Sequence, residues 1–285
     1  MNLLEKVDKY LENPYLERTH RTSTAHYPSQ SSCLVKNEYN ENIIIGNCMR
    51  SIYWESRGIK KTNPMKARGA RITRVGKIVE QFEIDRYKEL GIWRGNNVKF
   101  FNEKYKISGE IDTLVFNEED RCLIGVEIKT GYDYKFRKEV IGTPTKKGRP
   151  KLEHLLQTML YIDYYKLLFK IVYIYRGNAA RKEYDITINK DGTPNIDGKK
   201  LDNGLSIPGC IARFKQLEEH LEDSTLPRRD FQLQYSPQQV EFLYDSNRLN
   251  KGQKKEFEKN KKVDMGDWRC KYCPYLDYCW QNGEN

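Results

Sequence analysis

Gly125–Gly131 reads Gly-Val-Glu-Ile-Lys-Thr-Gly and is the most informative segment of the chain. Apolar and charged residues alternate along it, which predicts a β-strand whose side chains point to opposite faces in turn. Glu127 and Lys129 therefore share one face, while Val126 and Ile128 point into the core. An acid and a base beside an apolar strand cost free energy, because charged groups are removed from water. The pattern favours a functional site over a purely structural strand.

A second strand pattern lies just upstream, at Ile107–Phe116, and carries another carboxylate, Asp112. The polar segment Asn117–Arg121 has the length of a hairpin connection. The two strands should therefore pair and bring Asp112 next to Glu127. Two carboxylates with an adjacent lysine predict a divalent-metal site that can generate a hydroxide nucleophile.

The array of Asp112 followed by Glu127-Ile128-Lys129 resembles the core motif of the PD-(D/E)XK nuclease superfamily. The resemblance implies an α/β fold in which helices flank a mixed central sheet, as in restriction endonucleases. It also implies a hydrolase that cuts DNA with Mg²⁺ or Mn²⁺. Asp112, Glu127 and the carbonyl of Ile128 would bind the metal, and Lys129 would orient or deprotonate the attacking water.

Composition bounds the classes of protein that remain. The 285 residues include 50 Lys and Arg against 40 Asp and Glu, a formal net charge of +10. This excess suits a polyanion such as nucleic acid, although a charge that merely aids solubility is an equally good interpretation. No long apolar run is present, so we expect no membrane span. We predict a single nuclease domain over residues 1–285, with sub-parts at 1–68, 69–200 and 201–285.

The spacing of apolar residues and the positions of helix-ending residues such as glycine predict the order of helices and strands. In the longest predicted helix, Ile72, Val75, Val79 and Phe82 recur at helical spacing, and Gly91 ends it. The remainder of the chain before the C-terminal cysteines is read as polar and charged. The predicted order is helix Asn47–Ser56, helix Ala70–Leu90, strands Asn97–Tyr105, Ile107–Phe116 and Arg121–Thr130, a basic loop Gly131–Pro150, helix Lys151–Leu168, strands Lys170–Tyr175 and Tyr184–Asn189, and helix Ile207–Glu222.

The C-terminal segment Trp268–Trp280 carries Cys270, Cys273 and Cys279 in the spacing C-x2-C-x5-C, among aromatic residues. A C-x2-C turn lets two thiolates reach one metal, so this spacing predicts a metal site. Three thiolates leave a tetrahedral site or a cubane cluster one ligand short.

The fourth ligand has two candidates. Cys48 is preferred and would tie the first predicted helix to the C-terminal segment, while Cys33 is the rival because Ser29–Ser32 could lead into such a segment. Cys122 and Cys210 lie in strand and helix patterns and are interpreted as small buried apolar residues. The N-terminus is charged too early for a secretory signal, so we expect a cytoplasmic protein whose cysteines are thiols or metal ligands.

Cys48, followed by arginine and aromatic residues, and the C-terminal cysteine spacing together bracket a PD-(D/E)XK core. This arrangement is similar to the iron–sulfur nucleases of the RecB type, which include the CRISPR-associated (Cas) family-four exonucleases and the AddB nuclease domain. The resemblance implies a structural [4Fe–4S] cluster that joins the N- and C-terminal segments and is held by Cys48, Cys270, Cys273 and Cys279. Structural Zn²⁺ on the same ligands is the alternative.

Two further motifs match the RecB-type pattern. The family carries a metal-shell residue, commonly histidine, after Gly-x3 on an upstream helix, and here Glu80 follows Gly76 at that spacing. Glutamate is a competent ligand for Mg²⁺ or Mn²⁺, and a solvated helix glutamate is the alternative. Gln157 and Tyr161 match a motif whose side chains hold the active site and touch DNA; a buried structural role is the alternative. His154, on the same predicted helix face, is left unassigned.

The predicted loop Gly131–Pro150 is basic and leaves the catalytic strand directly. Tyr132 and Tyr134 stand at its start, and aromatic rings for base stacking beside cations for phosphates predict a track for single-stranded DNA. A solvated charged loop is the alternative. The predicted nucleic-acid-binding cations are Lys135, Arg137, Lys146, Lys147 and Arg149.

These features together predict a metal-dependent deoxyribonuclease that acts as a single-strand exonuclease. Two alternatives stay open. One is a processing subunit of a larger complex with helicase or CRISPR-adaptation partners, either of which is compatible with a homo-oligomer. The other is a non-enzymatic DNA-binding protein with a structural metal. The complete set of Asp112, Glu127 and Lys129 argues against the second, because an inactive module has no chemical need for all three.

Overall fold

The central feature of the computed structural model is a mixed sheet of seven strands. The structure describes residues 3–12 and 25–280. The strands of this part are β1 (Ser32–Lys36), β2 (Asn42–Gly46), β3 (Trp93–Asn102), β4 (Ile107–Asn117), β5 (Cys122–Gly131), β6 (Gly142–Thr143), β7 (Lys146–Lys147), β8 (Leu168–Tyr175), β9 (Ala180–Ile188), β10 (Pro194–Ile196) and β11 (Lys199–Lys200).

The α-helices of the same ranges vary from single turns to more than six turns. They are α1 (Leu3–Leu11), α2 (Met49–Ser56), α3 (Ala67–Glu89), α4 (Tyr134–Phe136), α5 (Leu152–Tyr165), α6 (Ile207–Glu222), α7 (Pro237–Asp245), α8 (Lys251–Asn260), α9 (Trp268–Lys271) and α10 (Leu276–Trp280). None of the helices in the described ranges is both long and apolar enough to cross a membrane.

The large sheet has the order β11-β10-β9-β8-β5-β4-β3. Its strands pair antiparallel except for β5 and β8, which run parallel and are joined through α5. A parallel pair needs a long crossover, which α5 and the segment before it provide. The predicted α/β architecture with a mixed central sheet is therefore confirmed.

The two faces of this sheet pack against different helices. On one face, α5 and α6 supply Leu156, Met159 and Phe214 to the main core. On the other face, Ile84 of α3 packs in a smaller cluster with Val126 and Ile128 of β5. The alternation read from the sequence thus holds: Val126 and Ile128 point to one side of β5, which leaves Glu127 and Lys129 on the other.

The chain divides into two compact units. The first comprises Met1–Asn47 and Met65–Ser224 and contains the large sheet; the second comprises Cys48–Pro64 and Thr225–Asn285. In the second unit α7 and α8 enclose a separate apolar cluster, formed by Val240, Leu249, Phe257 and Val263. The single-domain interpretation over residues 1–285 stays a prediction.

The longest predicted helix exists as α3, but most of the apolar residues that recur along it do not pack in the core. Val79 contacts the core, whereas Ile72, Val75 and Phe82 are exposed. Residues 71–75 form more than one full turn, and each of them is exposed, so the core does not cover this turn of the helix. The spacing therefore predicted the helix, while the burial of its residues depends on the rest of the fold.

Other departures concern short or polar elements. The β1–β2 hairpin, α7 and α8 were not predicted, and the predicted loop Gly131–Pro150 contains α4, a π-helical turn at Arg137–Ile141 and the β6–β7 hairpin. Helix α5 ends at Tyr165, before the predicted Leu168, because Lys166 adopts a left-handed conformation with φ +54° and closes the helix. Strands β3 and β9 each begin four residues earlier than predicted.

Candidate active site and cysteine cluster

The candidate site lies where β4 and β5 stop pairing. Their ladder runs from Asn117 opposite Cys122 to Thr113 opposite Val126, as the hairpin prediction requires. One step beyond the last pair stands Asp112, whose Oδ2 accepts a hydrogen bond of 2.8 Å from the Ile128 amide. The carboxylate thus replaces a ladder contact and is fixed beside the segment Glu127-Ile128-Lys129.

Glu127 is fully buried, with 0 % of its surface exposed. Its Oε1 accepts a hydrogen bond from the Lys129 ammonium, while Oε2 has no hydrogen-bond partner among the described residues. Burial, and then the charge of Asp112, raise the pKa of Glu127 to about 8. A buried carboxylate oxygen without a donor is costly, which marks this position as more than structural.

Glu80 reaches the same place from α3. Burial, and then the charge of Asp112, raise the pKa of Glu80 to about 7, while Lys129 opposes the shift. Burial also raises the pKa of Asp112. For Lys129 burial lowers the pKa, but the charges of Glu127 and Asp112 outweigh it and leave the pKa above its ordinary value. The carboxyl groups of Glu80, Asp112 and Glu127 therefore lie near one ammonium, so negative charge exceeds positive charge at this site.

Helix α5 closes the other side of Glu127. The Gln157 amide donates a hydrogen bond of 2.7 Å to the Tyr161 hydroxyl, and Tyr161 is only 2 % exposed. Burial, and then the nearby charge of Glu127, raise the pKa of Tyr161 well above its ordinary value. This burial favours a buried structural role over a contact with DNA.

The structure adds a pair that the sequence left unassigned. Nδ1 of His154 and the Tyr173 hydroxyl share a hydrogen bond of 2.9 Å, and the Lys151 amide donates to the same hydroxyl at 3.1 Å. Tyr173 lies opposite Lys129 in the parallel β5–β8 register. Burial, and then the charge of Lys129, lower the pKa of His154 well below its ordinary value. The sequence does not show that His154 and Tyr173 lie near Lys129, because this proximity depends on the register of β5 and β8.

The basic segment after β5 is anchored rather than loose. Phe136 and Val140 are buried in the main core, while Lys135, Arg137, Lys146, Lys147 and Arg149 are exposed. Lys147 pairs with Asp197 at 3.3 Å, and the Arg137 guanidinium stacks 5.8 Å from the Tyr175 ring centre. Contact of these five cations with DNA stays a prediction.

In the second unit, α2 and the C-terminal segment are held together by direct contacts. Trp54 packs against Tyr275 and Tyr278, with ring centres 5.7 and 6.3 Å apart. The Asn63 side chain donates to the Cys273 carbonyl at 3.1 Å, and the Asn63 amide donates to the Pro274 carbonyl at 2.9 Å.

Four cysteines of this unit neighbour one another. Cys48 caps the N-terminus of α2, Cys270 lies in α9, Cys279 lies in α10 and Cys273 stands between them. Burial, and then the charges of Cys48, Asp267, Cys279 and Cys273, raise the pKa of Cys270 to about 12. The rival ligand Cys33 instead lies in the first unit, where a hydrogen bond from Cys210 lowers its pKa to about 7.

All seven cysteines fall in the described ranges and are free thiols. Cys210 is buried as predicted, whereas Cys122 is only half-buried. Among the described residues, no group of three or more His, Cys, Asp or Glu side chains is gathered closely enough to hold a metal ion as it stands. The predicted ligand sets therefore stay predictions.

Comparison with known proteins identifies the family. The model of the PD-(D/E)XK nuclease superfamily matches residues 47–280, most of the chain, which therefore belongs to this superfamily. A solved structure titled "Crystal structure of SSO0001" is similar at 16 % identity, covers 98 % of this chain and 97 % of its own, and has a TM-score of 0.46. No curated protein matches the chain significantly.

Members of this superfamily are typically metal-dependent nucleases, hydrolases that use Mg²⁺ or Mn²⁺, and the assignment indicates such an activity here. A nuclease fold implies DNA as the substrate.

Proposed function

We propose that the protein is a divalent-metal-dependent exonuclease of single-stranded DNA. The observation that carries this proposal is the fully buried Glu127, which leaves Oε2 without a partner among the described residues while Asp112 and Glu80 crowd the same space. Stability alone gives no reason to gather three acids there.

The donor set fits a hard divalent cation. Carboxylate and carbonyl oxygens are the ligands that Mg²⁺ and Mn²⁺ prefer, and a cation would neutralise the charge that raises the pKa of each acid. Asp112, Glu127, Glu80 and the carbonyl of Ile128 would hold it. Such an ion, when bound, lowers the pKa of a coordinated water and neutralises charge on the scissile phosphate.

The protein's own groups position the reactants. Lys129, held by Glu127, would orient or deprotonate the attacking water and stabilise developing negative charge. The hydrogen-bonded pair of Gln157 and Tyr161 would line the site from the side of α5. Exposed Tyr132 and Tyr134 beside the cations of the following segment suit unpaired bases, and this supports a single strand as substrate.

A [4Fe–4S] cluster held by Cys48, Cys270, Cys273 and Cys279 is the second part of the proposal. Support comes from the mutual charge effects of these thiols and from the burial of Cys270 and Cys279. Cys48 belongs to the same compact unit as the C-terminal cysteines, which favours it over Cys33. The cluster would have a structural role, and Zn²⁺ is the alternative for the same ligands.

End-labelled substrates test this function. Linear single-stranded DNA should be degraded from an end with Mg²⁺ or Mn²⁺, and EDTA should stop the reaction. Circular single-stranded DNA of the same sequence is the matched control and should persist. Cleavage of the circle at the rate of the linear strand would show an endonuclease, and equal degradation of duplex DNA would refute the strand preference.

A further inference from the structure

The N-terminal half of α3 carries a regular stripe of cations. Arg68, Arg71, Arg74 and Lys77 recur every third residue, and the next position in the same series is Glu80. No acidic residue occurs between positions 66 and 79. All four cations are exposed. The three-residue repeat is visible in the sequence, but what these cations can bind depends on the position of α3 in the fold.

A three-residue step along an α-helix rises about 4.5 Å and falls about 60° short of a full turn. The stripe therefore winds about half a turn around α3 between Arg68 and Lys77, and the distance along the axis from Arg68 to Glu80 is about 18 Å. One end of this stripe is the glutamate that faces Asp112 and Lys129. The cations thus follow a helical path over α3 that ends at the acidic site.

The helix crosses the end of the catalytic strand beside this surface. A Cβ placed on Gly76 would lie 3.5 Å from Oγ1 of Thr130, the neighbour of Lys129 in β5. The Arg176 guanidinium also links the two elements, because it donates to the Ile72 carbonyl at 3.4 Å and stacks 5.1 Å from the Tyr132 ring centre. The stripe and the aromatic start of the basic segment therefore flank the same strand end.

Apolar side chains alternate with these cations. Ile72, Val75 and Ile78 are 36 %, 44 % and 68 % exposed. A surface that presents cations and apolar groups together suits a ligand with phosphates and unpaired bases, whereas a duplex hides its bases.

Helix α1 contacts part of the stripe. Asp8 pairs with Arg71, and the Tyr10 ring lies 5.6 Å from the Arg74 guanidinium. Both members of the ion pair are more than one-third exposed, so the pair is weak and phosphate groups can compete with it.

We propose that Arg68, Arg71, Arg74 and Lys77 bind the phosphates of a single nucleic-acid strand and guide that strand to Glu80. This proposal rests on the proposed nuclease function and adds the path of the substrate to it. Acidic protein partners and anionic membranes are the competing occupants of this surface.

The test is the salt dependence of oligo(dT) binding, measured by fluorescence anisotropy with Ca²⁺ in place of Mg²⁺. The variant replaces all four cations with Ala. Its control replaces four exposed lysines around α8, namely Lys251, Lys255, Lys259 and Lys262, and so removes the same charge. A double variant, Arg68→Ala with Lys77→Ala, keeps both contacts with α1 in case the fourfold change disturbs folding.

For single strands each phosphate contact contributes about 0.7 to the slope of log K against log salt, so the fourfold variant should be shallower by about 3 and the double variant by about 1.4. The control should keep the wild-type slope. Hydrolysis of bis(4-nitrophenyl) phosphate, which is too small to span α3, should change far less in the stripe variants than the binding of oligo(dT). Equal slopes for the stripe variants and the control would overturn the proposal, as would equal binding of a dinucleotide and of oligo(dT). Failure of wild-type protein to hydrolyse any phosphodiester would refute the nuclease function, while the slopes would still decide the binding surface.

Discussion

Glu127 combines complete burial with an incomplete set of hydrogen bonds. Lys129 satisfies one carboxylate oxygen, and no described residue satisfies the other. An unpaired buried carboxylate oxygen costs roughly 1–3 kcal/mol or more, so the fold keeps this arrangement against its own stability. A divalent cation would complete the coordination and remove that cost.

Lys129→Met should separate chemistry from binding. The substitution keeps the length of the side chain but removes the ammonium, so cleavage should fall about 10²–10⁴-fold while single-stranded DNA still binds. Rates with Mn²⁺ and anisotropy with Ca²⁺ measure the two properties. Lys170→Met is the control, because that lysine of β8 pairs instead with Glu183 and Asp185. Cleavage at the wild-type rate by Lys129→Met would show that Lys129 takes no part in the mechanism.

The raised pKa of Glu127 predicts how the metal-free stability depends on pH. This carboxyl has an ordinary pKa of 4.5 and a folded pKa of about 8. Between these values the unfolded chain releases a proton that the folded chain retains, so this contribution to stability is complete below pH 4.5 and is lost as pH rises through 8. A glutamine side chain cannot titrate; in EDTA, Glu127→Gln should therefore gain melting temperature over wild type as pH rises from about 5 to about 8.

Two comparisons control this melting experiment. Glu119→Gln, in an exposed turn, should follow the wild type at every pH. Adding Mn²⁺ at the alkaline end of the range should raise the melting temperature of wild type more than that of Glu127→Gln. A pH-independent difference between Glu127→Gln and wild type would show that Glu127 does not carry the unfavourable charge.

Among the elements, sequence patterns predicted those whose periodicity comes from the core. Strand β5 alternates apolar and charged residues over Val126–Lys129, β4 carries the apolar run Leu114–Phe116, and α5 and α6 carry long apolar faces, so all four were found. Helices α7 and α8 are largely polar and were missed, although each begins with a capping box, at Ser236 with Gln239 and at Asn250 with Gln253. The β1–β2 hairpin was missed because its apolar runs are short.

The candidate site shows the same division. Asp112, Glu127 and Lys129 could be predicted because hairpin pairing and a two-residue alternation are local properties. The burial of Glu127 could not, because it depends on α5 and α3 closing over β5 from distant parts of the chain. The neighbourhood of His154 and Tyr173 likewise depends on the parallel β5–β8 register. The exposure of Ile72, Val75 and Phe82 in α3 is likewise visible only in the three-dimensional structure.

The segment after β5 allows a prediction about an element. Replacing Lys146, Lys147 and Arg149 with Ala should make the slope of log K against log salt shallower by about 2, if each cation contacts one phosphate of a single strand. Replacing Lys251, Lys255 and Lys259 of α8 is the matched control. An unchanged slope in the first variant would show that this segment is ordinary solvated surface and does not contact DNA.

For the whole molecule, the cysteines decide how the second unit is stabilised. Four thiols drawn from both ends of the sequence cannot be preassembled in an unfolded chain, so metal binding should be coupled to folding. Protein purified without oxygen should be brown and contain iron and acid-labile sulfide. Cys48→Ala and Cys273→Ala should lose both the colour and resistance to proteolysis.

The remaining cysteines serve as controls for the cluster. Cys33→Ala, Cys122→Ala and Cys210→Ala should keep the iron, because these three belong to the first unit. Loss of iron in Cys33→Ala but not in Cys48→Ala would show that Cys33, and not Cys48, is the fourth ligand. Zinc without iron in wild-type protein would refute the iron–sulfur assignment and leave the acidic site untouched.

The central claim is that Asp112 and Glu127, where β4 and β5 stop pairing, form a metal-dependent phosphodiesterase site with Glu80. The most direct measurement is the rate at which end-labelled linear single-stranded DNA is degraded with Mn²⁺ by wild-type protein and by Glu127→Gln. The wild type should release labelled nucleotides, and Glu127→Gln, which keeps the shape of the side chain but loses its charge, should be inactive. Equal rates for the two proteins would contradict the claim.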